Sequence, residues 1–101
     1  MPLYTVDLEV EAAIRDDYLA WLREHVAEML TLQGFLGAKI YARLELVPSS
    51  DVCAFVVHYR LRDRAAFNGY LAEHATRMRE AGLRHWGERA RARRDLLQEL
   101  E

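Results

Sequence analysis

Apolar and polar residues alternate along the first segment of the chain: Tyr4, Val6, Leu8 and Val10 fall on one side, Thr5, Asp7 and Glu9 on the other. Successive side chains of an extended strand point to opposite faces, so Leu3–Val10 predicts a half-buried β-strand. At Ile14 the period lengthens. Ile14, Tyr18, Trp21, Leu22, His25 and Met29 recur at helical spacing, with Arg15, Asp16, Arg23, Glu24 and Glu28 elsewhere around the cylinder, and Gly34 stands where a helix-terminating glycine belongs. From Phe35 to Val47 the alternation returns, Ala38, Ile40, Ala42 and Leu44 against Lys39, Tyr41, Arg43 and Glu45. The cluster Pro48-Ser49-Ser50-Asp51 reads as a turn, and Val52–Leu61 is strongly β-forming, so the pair predicts a hairpin. Asp63 is a fitting N-cap for a second helix with the stripe Phe67, Tyr70, Leu71, His74 and Met78, which Gly82 and Gly87 should break, leaving a short extra turn through His85 and Trp86.

The last segment admits two readings. Glu88–Leu100 contains good helix formers throughout, yet Arg89, Arg91 and Arg93 alternate with Ala90 and Ala92, and Leu96 continues the apolar side. A fourth strand is favoured, because without it the first strand keeps an unpaired edge. Strand, helix, hairpin, helix, strand is the split βαβ pattern. With right-handed crossovers it gives a ferredoxin-like α+β domain spanning residues 1–101, with strand order 4-1-3-2 and both helices on one face of a four-stranded antiparallel sheet.

Composition changes this picture little: 51% hydrophobic and 30% charged residues belong to an ordinary folded chain. The net charge of -2 conceals an asymmetry, acidic from Met1 to Gly34 and basic from Arg77 to Arg94. The basic segment lacks interleaved stacking aromatics and the whole chain is mildly acidic, so nucleic acid is the weaker reading and complementary charged surfaces the stronger. A lone cysteine, Cys53, excludes an internal disulfide and a cysteine-rich metal site, and its apolar surroundings predict a small buried hydrophobe. No histidine pair has the spacing of a helical zinc site, no glycine-rich phosphate loop is present, and no cofactor or metal is expected. Asp7 and Glu9 interrupt the first apolar segment as a signal peptide would not allow, and no apolar run is long enough for a membrane helix, so a cytoplasmic location is the default expectation.

The sheet face away from the helices carries the chemistry. It collects Thr5, Asp7 and Glu9; Lys39, Tyr41 and Arg43; Val52, Ala54, Val56, His58 and Arg60; and Arg89, Arg91 and Arg93. A bare face of mixed character calls for a partner, and pairing with a second copy is the simplest one. Strand order sets Asp7 between His58 and Arg91 or Arg93, where a carboxylate could orient an imidazole base or simply join an ion-pair network; Tyr41 shares that face and Tyr59 does not. Asp7, His58 and Tyr41 are therefore the candidate catalytic residues. His25 and His74, on apolar helical stripes, are expected to be packed and hydrogen-bonded, and Trp21 and Trp86 to be large fillers.

The run Gly34-Phe35-Leu36-Gly37-Ala38, opening a strand after an amphipathic helix, resembles the dimeric α/β-barrel superfamily. Across Tyr4–Val10, Trp21-Leu22, the Tyr70–Arg79 helix, Gly82-Leu83, and Trp86-Gly87 leading into Ala92-Arg93-Arg94, the chain is similar to a small bacterial family of unknown function within it. The resemblance implies two protomers packing sheet to sheet into a barrel with helices outside, and it supports a strand over Glu88–Gln98. Its enzymatic relatives include cofactor-independent monooxygenases of polyketide quinols and haem-degrading monooxygenases. His74 lies near the position where the haem-degrading relatives place an iron ligand, whereas Asp7 or Thr5 stands where an asparagine is expected in the first strand. If the barrel holds a ligand, His74, Trp21, Arg43 and Arg91 are the candidate contacts. Three functions follow: a homodimeric small-molecule-binding or interaction module without catalysis, which the residues favour; a cofactor-independent or haem-related oxygenase using Asp7, His58, Tyr41 and His74; and a nucleic-acid-associated protein using Arg84–Arg94.

Overall fold

The computed structural model describes residues 1–45 and 49–101. Strand β1 (Pro2–Glu11) leads through a 3₁₀ turn at Ala12–Ile14 into α1 (Arg15–Met29); β2 (Phe35–Ala42) and β3 (Val52–Leu61) form a hairpin; α2 (Arg64–Glu73) and α3 (Ala75–Trp86) return the chain to β4 (Ala90–Gln98). The sheet order is β2-β3-β1-β4 and every neighbouring pair is antiparallel. This is the ferredoxin-like βαββαβ fold expected from the alternation pattern. Helices cover only one face, and the Cα trace accordingly spans 38 × 32 × 17 Å, a two-layer slab.

Register follows from burial. Tyr4, Val6, Leu8 and Val10 on β1 lie opposite Tyr59, Val57, Phe55 and Cys53 on β3, and all eight face the helices. A one-residue slip would turn this whole set to the open face. Against it α1 buries Tyr18, Leu22, Val26 and Met29, α2 buries Phe67 and Tyr70, and α3 buries Ala75, Met78 and Trp86. Aromatic rings dominate the centre: Tyr4 lies 5.0 Å from Phe67, 5.7 Å from Tyr59 and 5.8 Å from Tyr70 between ring centroids. Rings of this size exclude a large apolar area from water and constrain each other's packing.

The final segment is a strand: β4 pairs with β1 from Pro2↔Gln98 to Val10↔Ala90, giving β1 the second neighbour it needs. The sequence pattern and the structure differ in three places. Strand β2 closes at Ala42 although the alternation runs on to Val47; Leu46, Val47 and Pro48 lie outside the described residues. The second helix bends at His74 (φ -130°, ψ -27°), where hydrogen bonds from the His74 N–H to Tyr70 and from the Met78 N–H to the His74 carbonyl still carry the chain across. Gly82 does not break α3. A Cβ there would stand 3.3 Å from the Trp21 ring, so the glycine permits the close approach of α3 to α1. Gly87, with φ of 59°, ends α3 as expected.

Asp63 caps α2, its Oδ1 accepting from the Ala66 N–H at 2.8 Å while the Arg62 Nε donates to Oδ2 at 3.1 Å. These bonds hold the carboxyl below its ordinary value of 3.8. A depressed carboxyl stabilises the fold above its unfolded-state pKa and loses that effect as pH falls through its folded-state pKa. Asp63→Ala should therefore melt a few degrees below the parent at pH 7, with the gap closing in acid below pH 3.8, as followed by circular dichroism.

Candidate functional site

Among the described residues, a hollow lies on each side of the sheet. The larger, about 480 Å³, lies between the helical layer and the sheet, with α1 and α3 on one side and β1, β3 and β4 on the other. Its walls are aromatic and apolar, with Tyr4, Tyr18, Trp21, Tyr59, Tyr70 and Trp86 the largest contributors. Trp21 stacks on His25 with centroids 4.8 Å apart and planes 16° apart, and meets Trp86 edge-on at 6.3 Å. The opening exists because β4 carries small residues where it faces the helices: Ala90 and Ala92 stand opposite Val10 and Leu8. Gly82 on α3 adds no side chain to the opposite wall.

Polar groups also reach this cavity. Arg94 follows Ala92 on the same face of β4, opposite Val6, and therefore stands on the helix side of the sheet. Arg79 enters from α3 and donates from Nη2 to the Tyr4 hydroxyl at 3.4 Å. Burial raises the Tyr18 and Tyr70 phenols to about 12 and Tyr59 further, against the opposing charge of Arg94, so these hydroxyls stay protonated at neutral pH. Burial also lowers the His25 imidazole below its ordinary 6.5, with Glu28 opposing and Arg94 reinforcing the shift, which keeps the ring neutral.

The second hollow, about 340 Å³, is on the open face, where Asp7, Glu9, Arg43, Arg91 and Arg93 surround Ala54. The side chains here are ordered in rungs: Tyr41, Val56, Asp7 and Arg93 cross the four strands in one, Lys39, His58, Thr5 and Asp95 in the next. Asp7 is thus directly opposite Val56 and Arg93, and His58 is one diagonal step away, about 7–8 Å. The carboxylate contacts Arg43 instead, Oδ1 to Nη2 at 3.8 Å, while the Arg93 Nε lies 3.8 Å from Asp95. The Tyr41 and His58 rings are 5.0 Å apart. Exposed apolar side chains, Tyr41 at 44% and Leu97 at 49%, lie beside these charges.

The residues singled out from sequence are therefore divided. Asp7, Tyr41, His58 and Arg43 share the open face; Trp21 lines the helix–sheet cavity; Arg91 borders both hollows. His74 lines neither. It sits at the bend between α2 and α3, with Nδ1 2.9 Å from Arg77 and Nε2 3.8 Å from Glu73, outside the lining of the helix–sheet cavity. Among the described residues, no cluster of three His, Cys, Asp or Glu side chains is arranged to hold a metal ion. Cys53 is half-buried, and burial pushes its thiol up, away from a reactive thiolate. No described helix is long and apolar enough to cross a membrane.

The alternation does contain a signal for Arg94 and Arg79. Position 94 falls in the Ala90, Ala92, Leu96 series that faces the helices, and position 79 lies one turn from Ala75 and Gly82. A charged residue in an apolar register is the mark of a polar group aimed into the interior.

The sheet order and the two layers are those of the ferredoxin-like βαββαβ fold. The chain is similar to HapK from Hahella chejuensis (TM-score 0.70, 16% identity, covering 99% of this chain and 93% of that one). It is similar also to a dimeric ferredoxin-like protein from an uncultured marine organism (TM-score 0.66, 14% identity, 99% and 100% covered). A third likeness is to SnoaB, a cofactor-independent oxygenase from Streptomyces nogalater (TM-score 0.61, 14% identity, 99% and 94% covered). At such identities the likeness is one of fold. The chain belongs to the family described as Domain of unknown function (DUF4286), whose model matches residues 1–100. No curated protein matches it.

Proposed function

We propose that the protein is a homodimeric small-molecule-binding module that takes a largely apolar ligand in the helix–sheet cavity and pairs with its twin through the open sheet face. The observation that carries this reading is the cavity itself: about 480 Å³, walled by aromatic side chains, with a few convergent polar groups. Those are the size and character of a small-molecule site. The open face supports the dimer half. It mixes exposed apolar residues with a self-complementary set of acids and arginines, and one of the similar structures is of a dimeric ferredoxin-like protein. On this reading Asp7, Tyr41 and His58 serve the interface, and Trp21 serves the ligand.

The cavity half is tested with 2-naphthamide, a neutral planar probe. It should shift the indole N–H resonances of Trp21 and Trp86, and Ala92→Phe, which places a ring in the cavity from an exposed strand position, should abolish the shifts while the protein stays folded. Indole resonances unmoved at millimolar concentrations both of this probe and of its carboxylate analogue, 2-naphthoate, would defeat this half of the reading.

A second reading, oxygenation of the bound ligand without a cofactor, is favoured by one feature: His25 is held neutral at the cavity wall and could accept a proton from a ligand hydroxyl. SnoaB of Streptomyces nogalater is described as a cofactor-independent oxygenase. Dioxygen uptake on adding an anthrone separates this reading from simple binding.

A further inference from the structure

We propose that the ligand of the helix–sheet cavity is an organic anion, an aryl or similarly apolar carboxylate, whose charge is held by Arg94 and Arg79 while its body lies against Trp21 and Trp86. This inference rests on the cavity reading above and goes beyond it in fixing the chemical class.

Several arginines elsewhere in the molecule find acids. Arg43 reaches Asp7, Arg77 reaches Glu28, Arg89 reaches Glu11 and Arg93 reaches Asp95, each within 4 Å. Among the described residues Arg79 and Arg94 make no ion pair. Arg94 is exposed on the outer strand and Arg79 half-buried, and both border a cavity whose walls are mostly apolar.

The hydrogen-bond inventory points the same way. Among the described residues, the buried side-chain nitrogen and oxygen atoms without a partner are Arg79 Nε and Trp86 Nε1. Both are donors, and both belong to residues that line this cavity. Trp86 is 9% exposed, so bulk water has little access to its ring. The buried tyrosines keep their protons and add hydroxyl donors; His25 is neutral; Glu88 is the one carboxylate in the lining, against Arg79, Arg91 and Arg94. The cavity thus has cations in excess of carboxylates, and two of its buried donors are unmatched. A neutral hydrocarbon would leave that excess unmatched, whereas a carboxylate supplies two acceptor oxygens and one negative charge. A phosphate ester fits less well, because no glycine-rich loop supplies converging backbone N–H groups.

The test is a matched pair of probes: 2-naphthoate, ionised at neutral pH, and 2-naphthamide, of nearly the same shape without the charge. Dissociation constants are read from the Trp21 and Trp86 indole resonances at fixed salt. The wild type should bind naphthoate at least about tenfold more tightly than naphthamide. Arg94→Leu, on the exposed outer strand, should bring the ratio close to one without weakening naphthamide, and Arg94→Lys should retain part of the preference. Equal affinities in the wild type would overturn the anion assignment and leave the cavity reading standing. Failure of both probes to bind would overturn the cavity reading and this inference with it. A naphthoate preference surviving both Arg94→Leu and Arg79→Met would also overturn it, because the charge would then be recognised elsewhere.

Discussion

Val56→Asp should sediment as a folded monomer at concentrations where the wild type, on the proposed reading, is a dimer. Val56 lies on the open face at the middle of a rung, with Tyr41 on one side and Asp7 on the other. In an isolated protomer the site is partly exposed, so an aspartate there keeps contact with water and the fold should survive. In a sheet-to-sheet dimer the same carboxylate would be covered, and it would stand directly across from Asp7, a like charge. Removing an unpaired carboxylate from water costs several kcal/mol, and each 1.4 kcal/mol is about a factor of ten in a dissociation constant. Weakening of the dimer by more than about a hundredfold is expected, read by sedimentation equilibrium over a concentration series. A variant that remains as dimeric as the wild type would place the interface on another surface and remove the role proposed for the open face.

The largest stability loss is expected from Tyr4→Ala. Tyr4 is 2% exposed and joins three aromatic rings, those of Tyr59, Phe67 and Tyr70. Deleting a buried ring of this size costs about 3–5 kcal/mol, because packing and burial are lost and the neighbours close only part of the space. For a domain of this length that lowers Tm by more than about 12 °C. Tyr4→Phe separates packing from polarity. It keeps the ring and removes only the hydroxyl that accepts from Arg79 at 3.4 Å, a long bond worth about 1 kcal/mol or less. Thermal unfolding followed by circular dichroism should rank the three proteins wild type, Tyr4→Phe, Tyr4→Ala, with the second step much the larger. Two steps of equal size would mean that the Arg79 bond, rather than the ring cluster, carries the stability at this position.

These two positions also show how the sequence reading and the structure relate. Tyr4 and Val56 were assignable to opposite faces because alternation on β1 and β3 is nearly uninterrupted and one face had to be apolar. The same pattern was enough for the strand order, since an unpaired β1 edge demanded β4. It was not enough at Gly82, whose role depends on how closely α3 approaches Trp21, or at His74, where the helix bends without a proline or glycine at the bend itself.

The candidate site was harder to read than the fold. Asp7 and His58 were expected as neighbours, and they do share a face. Yet one diagonal step and the reach of Arg43 decide what Asp7 touches. Such distances follow from register and rotamer, neither of which a residue pattern specifies. Arg94 illustrates the opposite case. Its apolar register was visible, but a charge in that register acquires meaning only once α1 and α3 are seen to leave space above it.

By itself, then, the sequence determined the type and order of the principal elements, which residues of each strand face the helices, and the mixed character of the other face. Backbone periodicity and the burial of apolar side chains are local enough to be read from spacing. The tertiary structure alone decided that the helical layer stands off the sheet beside β4, that Arg79, Arg94, Trp21 and Trp86 meet in one cavity, and that His74 lies outside it. Cavities and convergent donors are properties of elements packed from distant parts of the chain, set by side-chain volume and helix position in three dimensions.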